Sequence, residues 1–193
     1  MTIIGITGNK GNGKDTLADH LVENHGYVKI CFANALKDAC KILFGFTDEQ
    51  LYGNLKEVID ENWGITPREI MQFVGTDLFR NQIKLLMPWI NDNFWIECLK
   101  KKIKNMQLES ANKNFVISDV RFKNEVDFIN EMNGVIIRVK RHDVIINDTC
   151  QHESESNFDS FDVNYTIYNS GSLGDLYSSA DNTMKLIELN ICL

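Results

Sequence analysis

Short apolar runs alternate with amphipathic stretches along most of the chain, and the alternation itself points to a class of fold. Ile3–Thr7 is an aliphatic run closed by Gly8 and predicts a buried strand. Leu17, Ala18, Leu21 and Val22 follow at helical spacing, with Gly26 as the stop. Residues 28–32 predict a second strand, and Leu36, Ala39, Cys40 and Leu43 mark a helix ending near Gly45. A mostly helical stretch then runs to about residue 108, where Ile96, Leu99, Ile103 and Met106 form one stripe. Residues 115–118 predict a third strand, followed by a helix presenting Phe122, Val126, Ile129 and Met132 on one face. Residues 135–139 are a β-branched fourth strand and residues 163–168 a fifth, and Leu173, Leu176, Ala180, Met184 and Ile187 stripe a closing helix. Strands alternating with helices predict a five-stranded parallel sheet flanked by helices on both faces.

Two segments interrupt this rhythm. Residues 46–109 form a helical insertion, and residues 142–162 are polar and irregular, rich in Asp, Ser, Asn and His. The core is then residues 1–45, 110–141 and 163–193, all within one domain, as a chain of 193 residues allows. The polar segment is expected to be a lid that orders when nucleotide binds.

Composition narrows the partners. A net charge of −7 argues against a duplex-DNA binder, whose phosphate contacts need a basic surface. It leaves room for a small anion held by a few local cations. No apolar run reaches the roughly 18–20 residues of a membrane span. The first residues lack the basic start of a signal peptide, so a cytoplasmic protein is expected. Cysteines 31, 40, 98, 150 and 192 are odd in number and never paired as CxxC, which disfavours zinc and disulfide frameworks and suits a reducing compartment.

The strongest local signal is Gly8-Asn9-Lys10-Gly11-Asn12-Gly13-Lys14-Asp15-Thr16, placed between a strand and a helix as a phosphate-binding P-loop requires. Glycines let successive N–H groups turn inward, the helix N-terminus favours negative charge, and Lys14 supplies a cation for the β- and γ-phosphates. Asp15 stands where Ser or Thr is usual. Its carboxylate can serve magnesium, and Thr16 can bond the α-phosphate. The loop has no GxGxxG pattern, which excludes a dinucleotide fold, and no NKxD signature of a GTP switch occurs.

The third strand ends in Asp119, where ligands of parallel sheets sit, so Asp119 is expected to face the metal, with Arg121 aimed at the phosphoryl group in flight. Arg138 and Arg141 close the next strand at the root of the polar segment and can add positive charge to the transferring phosphoryl group. Thr66-Pro67-Arg68-Glu69 opens a capped helix that continues past Gln72 and Thr76 to Arg80. Arg68 and Arg80 are candidates to grip an acceptor monophosphate in bidentate fashion. Gln72, Thr76 and the nearby Trp63 can line a base pocket, and Lys37 is a further acceptor-binding candidate. Trp63 and Trp89 read first as core residues.

Taken together these pieces resemble the phage-type deoxynucleoside monophosphate kinases. The residues that carry the likeness are Gly13–Thr16, Thr66-Pro67-Arg68-Glu69 with Gln72, Gly75-Thr76 and Arg80, Asp119-Val120-Arg121-Phe122 with Asn124-Glu125, His152 with Ser154-Glu155, and Asn169-Ser170-Gly171-Ser172-Leu173. The resemblance implies a nucleoside-monophosphate-kinase-like α/β fold with a core, an acceptor-binding helical insertion and a lid. It implies transfer of the ATP γ-phosphate to a deoxynucleoside monophosphate, with Mg2+, and a viral source. By the same likeness Lys14, Arg121, Arg138 and Arg141 are catalytic. Lys10, Gly11, Asn12, Gly13, Lys14, Asp15, Thr16, Asn169, Gly171 and Leu173 hold ATP, the last three against the adenine. Lys37, Arg68, Gln72, Thr76, Arg80 and Arg121 hold the acceptor, and Asp15 and Asp119 hold the metal. The partners implied are two nucleotides, with neither a nucleic acid polymer nor a membrane, and a homodimer is one assembly open to it. Phosphomevalonate-kinase-like and dephospho-CoA-kinase-like activities, and a non-catalytic ATP-binding regulator, stand as alternatives.

Overall fold

The computed structural model describes residues 1–141 and 161–191. In chain order its main elements are β1 (Ile3–Thr7), α1 (Lys14–His25), β2 (Tyr27–Ile30), α2 (Asn34–Phe44), α3 (Asp48–Tyr52), α4 (Pro67–Gln72), α5 (Ile83–Leu86), α6 (Phe94–Glu109), β3 (Asn114–Val120), α7 (Lys123–Glu131), β4 (Val135–Lys140), β5 (Tyr165–Tyr168) and α8 (Leu173–Ile191). They fall into two compact units, Met1–Cys31 with Asn105–Leu193, and Phe32–Lys104.

The first unit is the sheet, with all five strands parallel in the order β2-β3-β1-β4-β5. β1 is central and every one of its residues is buried, which is why it reads as an unbroken aliphatic run rather than an alternating one. Leu17 and Leu21 of α1 and Leu176, Ala180 and Met184 of α8 pack with Ile4, Ile6 and Val139 into one core. β3 continues two residues beyond the expected strand, and its register explains how. Gly5 faces Ile117 and Thr7 faces Val120, so Ile6 faces both Ser118 and Asp119. That bulge lies at the carboxyl end of the strand, where an extra residue re-aims side chains beside a site.

Four expected stripes need correction at their ends: Val22 of α1 and Leu43 of α2 are exposed. Met132 is the residue after α7 and is exposed, while Glu125 and Phe128 are buried instead. Leu173 opens α8 and is exposed, so that helix's buried stripe begins at Leu176.

The second unit has its own core of Cys40, Phe46, Leu51, Ile70, Met71 and Val74. Thr66 caps α4: its Oγ1 accepts from Glu69 N–H (3.2 Å), and Glu69 Oε2 accepts from Thr66 N–H (3.0 Å). This reciprocal pair satisfies two donors that the helix itself leaves open. Thr66→Ala is therefore expected to cost about 1 kcal/mol, read as a lower urea midpoint with an unchanged slope. The tryptophans depart from the core reading. Trp63 and Trp89 are 48% and 74% exposed, and Trp95 is the buried one. Trp95 donates its indole N–H to Gly75 O at 2.7 Å, and Trp63 donates to Phe44 O at 3.0 Å.

After α4 the chain winds as a π-helix over Phe73–Gln82. A π-wound stretch of this length is unusual and such windings concentrate at functional sites. Gly75 permits it beside α2, since a Cβ there would lie 2.7 Å from Leu36 Cδ2.

Candidate functional site

The turn from β1 into α1 is a glycine loop held from several sides. Gly8, Gly11 and Gly13 take φ values of 138°, 83° and 96°, which side chains disfavour. Asn12 is buried and donates from Nδ2 to Val139 O (2.9 Å), tying the loop to β4. Asn169, just after β5, donates from its own Nδ2 to Asn12 O (2.9 Å), and its backbone N–H reaches Lys140 O (2.7 Å). A Cβ on Gly13 would meet that Asn169 amide nitrogen at 2.5 Å. The loop is thus braced between β4 and the turn that includes Gly171 and Leu173. Lys14 folds back over it, donating from Nζ to Gly8 O (2.7 Å) and Asn9 O (2.9 Å). Lys10 is exposed near the loop's tip, and Thr16 is half-buried in the first turn of α1.

Asp15 is gripped from behind by residues whose part the sequence did not disclose. Its Oδ1 accepts from Ser118 Oγ (2.9 Å) and pairs with Lys29 Nζ (2.9 Å), while Lys29 also pairs with Asp19 (2.8 Å). Desolvation is the largest influence on Asp15 and raises its pKa, but the hydrogen bond and charge of Lys29, the Ser118 hydroxyl and the charge of Lys14 together bring it below the ordinary value. Desolvation lowers Lys29, and Asp19 and Asp15 outweigh it and raise its pKa. Both groups are therefore charged at neutral pH. The two contacts on Asp15 fall on one oxygen and the side chain is 75% exposed, so the second oxygen is available to a cation.

Asp119 is half-buried on the β3 bulge, beside Ser118, and Arg121 follows directly after the strand. The buried Glu125 sets this exit: its Oε2 accepts from the backbone N–H of Arg121 (2.8 Å) and Phe122 (3.1 Å). Arg138 lies inside β4, level with Thr7 of β1 and Thr166 of β5, and donates from Nη2 to Phe161 O (2.6 Å). Its guanidinium thus holds the chain entering β5, an engagement its place in the sequence did not suggest. Arg141 is exposed at the end of the described stretch. His152, Ser154, Glu155 and all but the last two residues of the segment expected to be a lid lie outside the described residues. In the closing turn Ser172 and Asp175 cap α8 reciprocally, with Ser172 N–H to Asp175 Oδ2 at 2.8 Å.

In the second unit four of the acceptor candidates form a row. Arg68 pairs with Glu57 (3.1 Å), Gln72 is half-buried, and Thr76 and Arg80 are buried, with Arg80 Nη1 reaching Asp92 O (3.4 Å). Steps of four residues advance about 40° around an α-helix and fall back by roughly 30° in a π-helix of about 4.4 residues per turn. The change of winding after Gln72 therefore cancels the drift and keeps Arg68, Gln72, Thr76 and Arg80 on one face. The sequence shows the spacing but not the winding that makes it a row. Lys37 lies elsewhere on this unit, with Nζ 3.9 Å from the centre of the Tyr52 ring, a cation–π contact.

A parallel sheet in this strand order, with a glycine loop and lysine at the carboxyl end of its central strand and a carboxylate ending the neighbouring strand, defines a P-loop phosphotransferase. The crystal structure of TT1252 from Thermus thermophilus shares the fold, with a TM-score of 0.54 over 97% of each chain at 18% identity. The model of the deoxynucleotide monophosphate kinase family matches residues 47–180. A protein of Acanthamoeba polyphaga mimivirus assigned as a deoxynucleotide monophosphate kinase is 38% identical over 182 residues, covering 92% of this chain and 93% of that one. The deoxynucleotide monophosphate kinase of Enterobacteria phage T4 is 25% identical over 253 aligned positions, covering 97% of this chain and all of that protein. The chain belongs to the deoxynucleotide monophosphate kinase family. It is an enzyme, a nucleotide kinase. The family match starts beyond the glycine loop, and its range includes the Arg68–Arg80 row, the end of β3 and the turn at Asn169. Among the described residues no helix is long and apolar enough to cross a membrane.

Proposed function

We propose that this enzyme moves the γ-phosphoryl group of ATP onto the phosphate of a deoxynucleoside monophosphate, giving ADP and the deoxynucleoside diphosphate. An acceptor phosphate oxygen forms the new bond to phosphorus as the bond to the ADP oxygen breaks. The observation that carries the reading is the braced glycine loop with Lys14 folded over it. Backbone N–H groups of Lys10 to Asp15, with Thr16, hold the donor phosphates, and Lys14 stabilises charge on the group in transfer. Asn169, Gly171 and Leu173 meet the adenine; the Asn169–Asn12 bond couples that turn to the phosphate cradle.

Asp15 and Asp119 offer the hard oxygen donors that suit Mg2+, and the second oxygen of Asp15 is open to it. When bound, the ion would neutralise charge on the β- and γ-phosphates. Arg121, with its backbone fixed by Glu125, and Arg138 and Arg141 serve as the cations for the transferring group. Arg68, Gln72, Thr76 and Arg80 grip the acceptor, with Lys37 as a further cation on the same unit. That row lies inside the family match, which favours the nucleotide reading over phosphomevalonate, dephospho-CoA and regulatory readings.

The test is ADP release with ATP and, in turn, dAMP, dGMP, dCMP, dTMP and mevalonate phosphate. Turnover with at least one deoxynucleotide and none with mevalonate phosphate is expected; the reverse would overturn the assignment. Arg68→Ala should raise the KM for the deoxynucleotide by roughly 10–100-fold, the cost of losing a charge-assisted phosphate contact, with the affinity for ATP little changed. An equal loss for both nucleotides would remove Arg68 from the acceptor site.

A further inference from the structure

Two histidines and a carboxylate meet where α1 runs beside α8, away from the phosphate loop. His20 Nε2 lies 2.7 Å and His25 Nε2 2.8 Å from the same oxygen, Asp181 Oδ1. One ligand atom from each of the three falls within 4.8 Å of the other two. Five residues of α-helix turn through about 500°, so His20 and His25 do not share a helix face by spacing alone. Packing against α8 brings them onto one point.

The cluster is preformed. His20 is buried and its ring stacks on Tyr177 with centroids 4.3 Å apart, which fixes its rotamer. His25 is on the last turn of α1, and the side chains of His25 and Asp181 keep 19% and 44% of their surface exposed. An ion could therefore enter, and a water could complete its shell.

We propose that His20 Nε2, His25 Nε2 and the Asp181 carboxylate bind a divalent d-block cation of the zinc type, tying the helix that leaves the phosphate loop to the closing helix. Two imidazole nitrogens and one carboxylate oxygen, with a water, are a zinc donor set, whereas Mg2+ prefers oxygen-only shells. The ion replaces two N–H···O bonds, and the carboxylate and rings need only small displacements to reach coordination distance. A metal-bound His20 carries its proton on Nδ1 and needs an acceptor there. Asn24 is the group at that position: its amide nitrogen lies 3.1 Å from His20 Nδ1 and also donates to His20 O at 3.2 Å, so metal binding requires the amide to turn its oxygen to Nδ1 and give up the bond to His20 O. The histidines lie six and eleven residues past Lys14, about 9 and 16 Å along the helix, so the ion takes no part in phosphoryl transfer.

The test uses the full chain after chelator treatment, with Zn2+ alone in calorimetry and Co2+ as a visible-absorption probe. One equivalent of Zn2+ is expected to bind and raise Tm by several degrees, with no such rise from Mg2+. His25→Gln should weaken Zn2+ binding by at least about tenfold and abolish the Co2+ band, while Mg2+-dependent kinase turnover stays at the parent level. Asp181→Asn should act likewise. A Zn2+ affinity unchanged in both variants would place zinc elsewhere and overturn the proposal. Absence of any Zn2+-dependent rise in Tm up to millimolar metal would do the same and leave the trio a hydrogen-bonded clamp only.

Discussion

Replacing Lys14 by alanine is expected to lower kcat by roughly 10²–10³-fold, the usual loss on deleting one group that stabilises transition-state charge, while the fold survives. Lys14 Nζ rests on the carbonyls of Gly8 and Asn9, so without nucleotide it neutralises the loop's own oxygens. With ATP in the cradle the same ammonium has phosphate oxygens as stronger acceptors, and the flexible stem lets it exchange one set for the other. The loop does not depend on it for shape. Asn12 holds Val139 O and Asn169 holds Asn12 O whether or not the lysine is present. Steady-state turnover at saturating ATP checks the effect on kcat, and thermal unfolding checks the fold. A variant with near-normal kcat would mean that the loop is not where the donor phosphates bind.

How much of this was legible beforehand depends on what kind of signal each feature leaves. The central strand and the loop's glycines were readable, since a strand covered on both faces must be apolar throughout and a tight strand-to-helix turn needs glycine where φ is positive. The stripes of α7 and α8 were readable in their middles and misread at their ends, because Met132 and Leu173 keep helical spacing while standing where the helix no longer faces the core. The tryptophans misled for a related reason. Hydrophobicity gives no hint that Trp95, and not Trp63 or Trp89, has a carbonyl to receive its N–H in a buried place.

Inside the site, the residues hidden from the sequence are those that act by tertiary contact. Lys29 and Ser118 meet Asp15 only because β2 and β3 lie side by side with α1 across them. Neither carries a motif of its own. Glu125 was visible as part of a family pattern, but its capture of the Arg121 and Phe122 backbone N–H groups is a contact that only the folded chain shows. The four-residue spacing from Arg68 to Arg80 was plain in the chain. Only the π-winding turns that spacing into one face, and no residue preference announces such a winding.

Gly8→Ala should be the most damaging of the loop's glycine substitutions, lowering stability by about 2–5 kcal/mol through left-handed strain and overpacking together. Gly8 has φ 138°, and a Cβ there would sit far inside contact distance of Val139 O. That oxygen belongs to the backbone of β4, which pairs with β1 on one side and β5 on the other, so it cannot retreat as a side chain would. It is also the acceptor for Asn12 Nδ2. The loop must therefore yield, and its bond to β4 goes with it. At a few degrees per kcal/mol for a chain of this size, Tm should fall by roughly 5–15 °C, and the affinity for ATP should fall as well. Gly11→Ala supplies the comparison. Its φ of 83° is also positive, but a Cβ there would meet nothing within 4 Å, so only the backbone term of about 1–2 kcal/mol remains. Thermal unfolding of the two variants side by side separates the cost of a left-handed residue from the cost of the close approach. Equal losses of Tm would mean that the loop does not press against β4 at Gly8, and the bracing that positions the donor phosphates would have to be sought elsewhere.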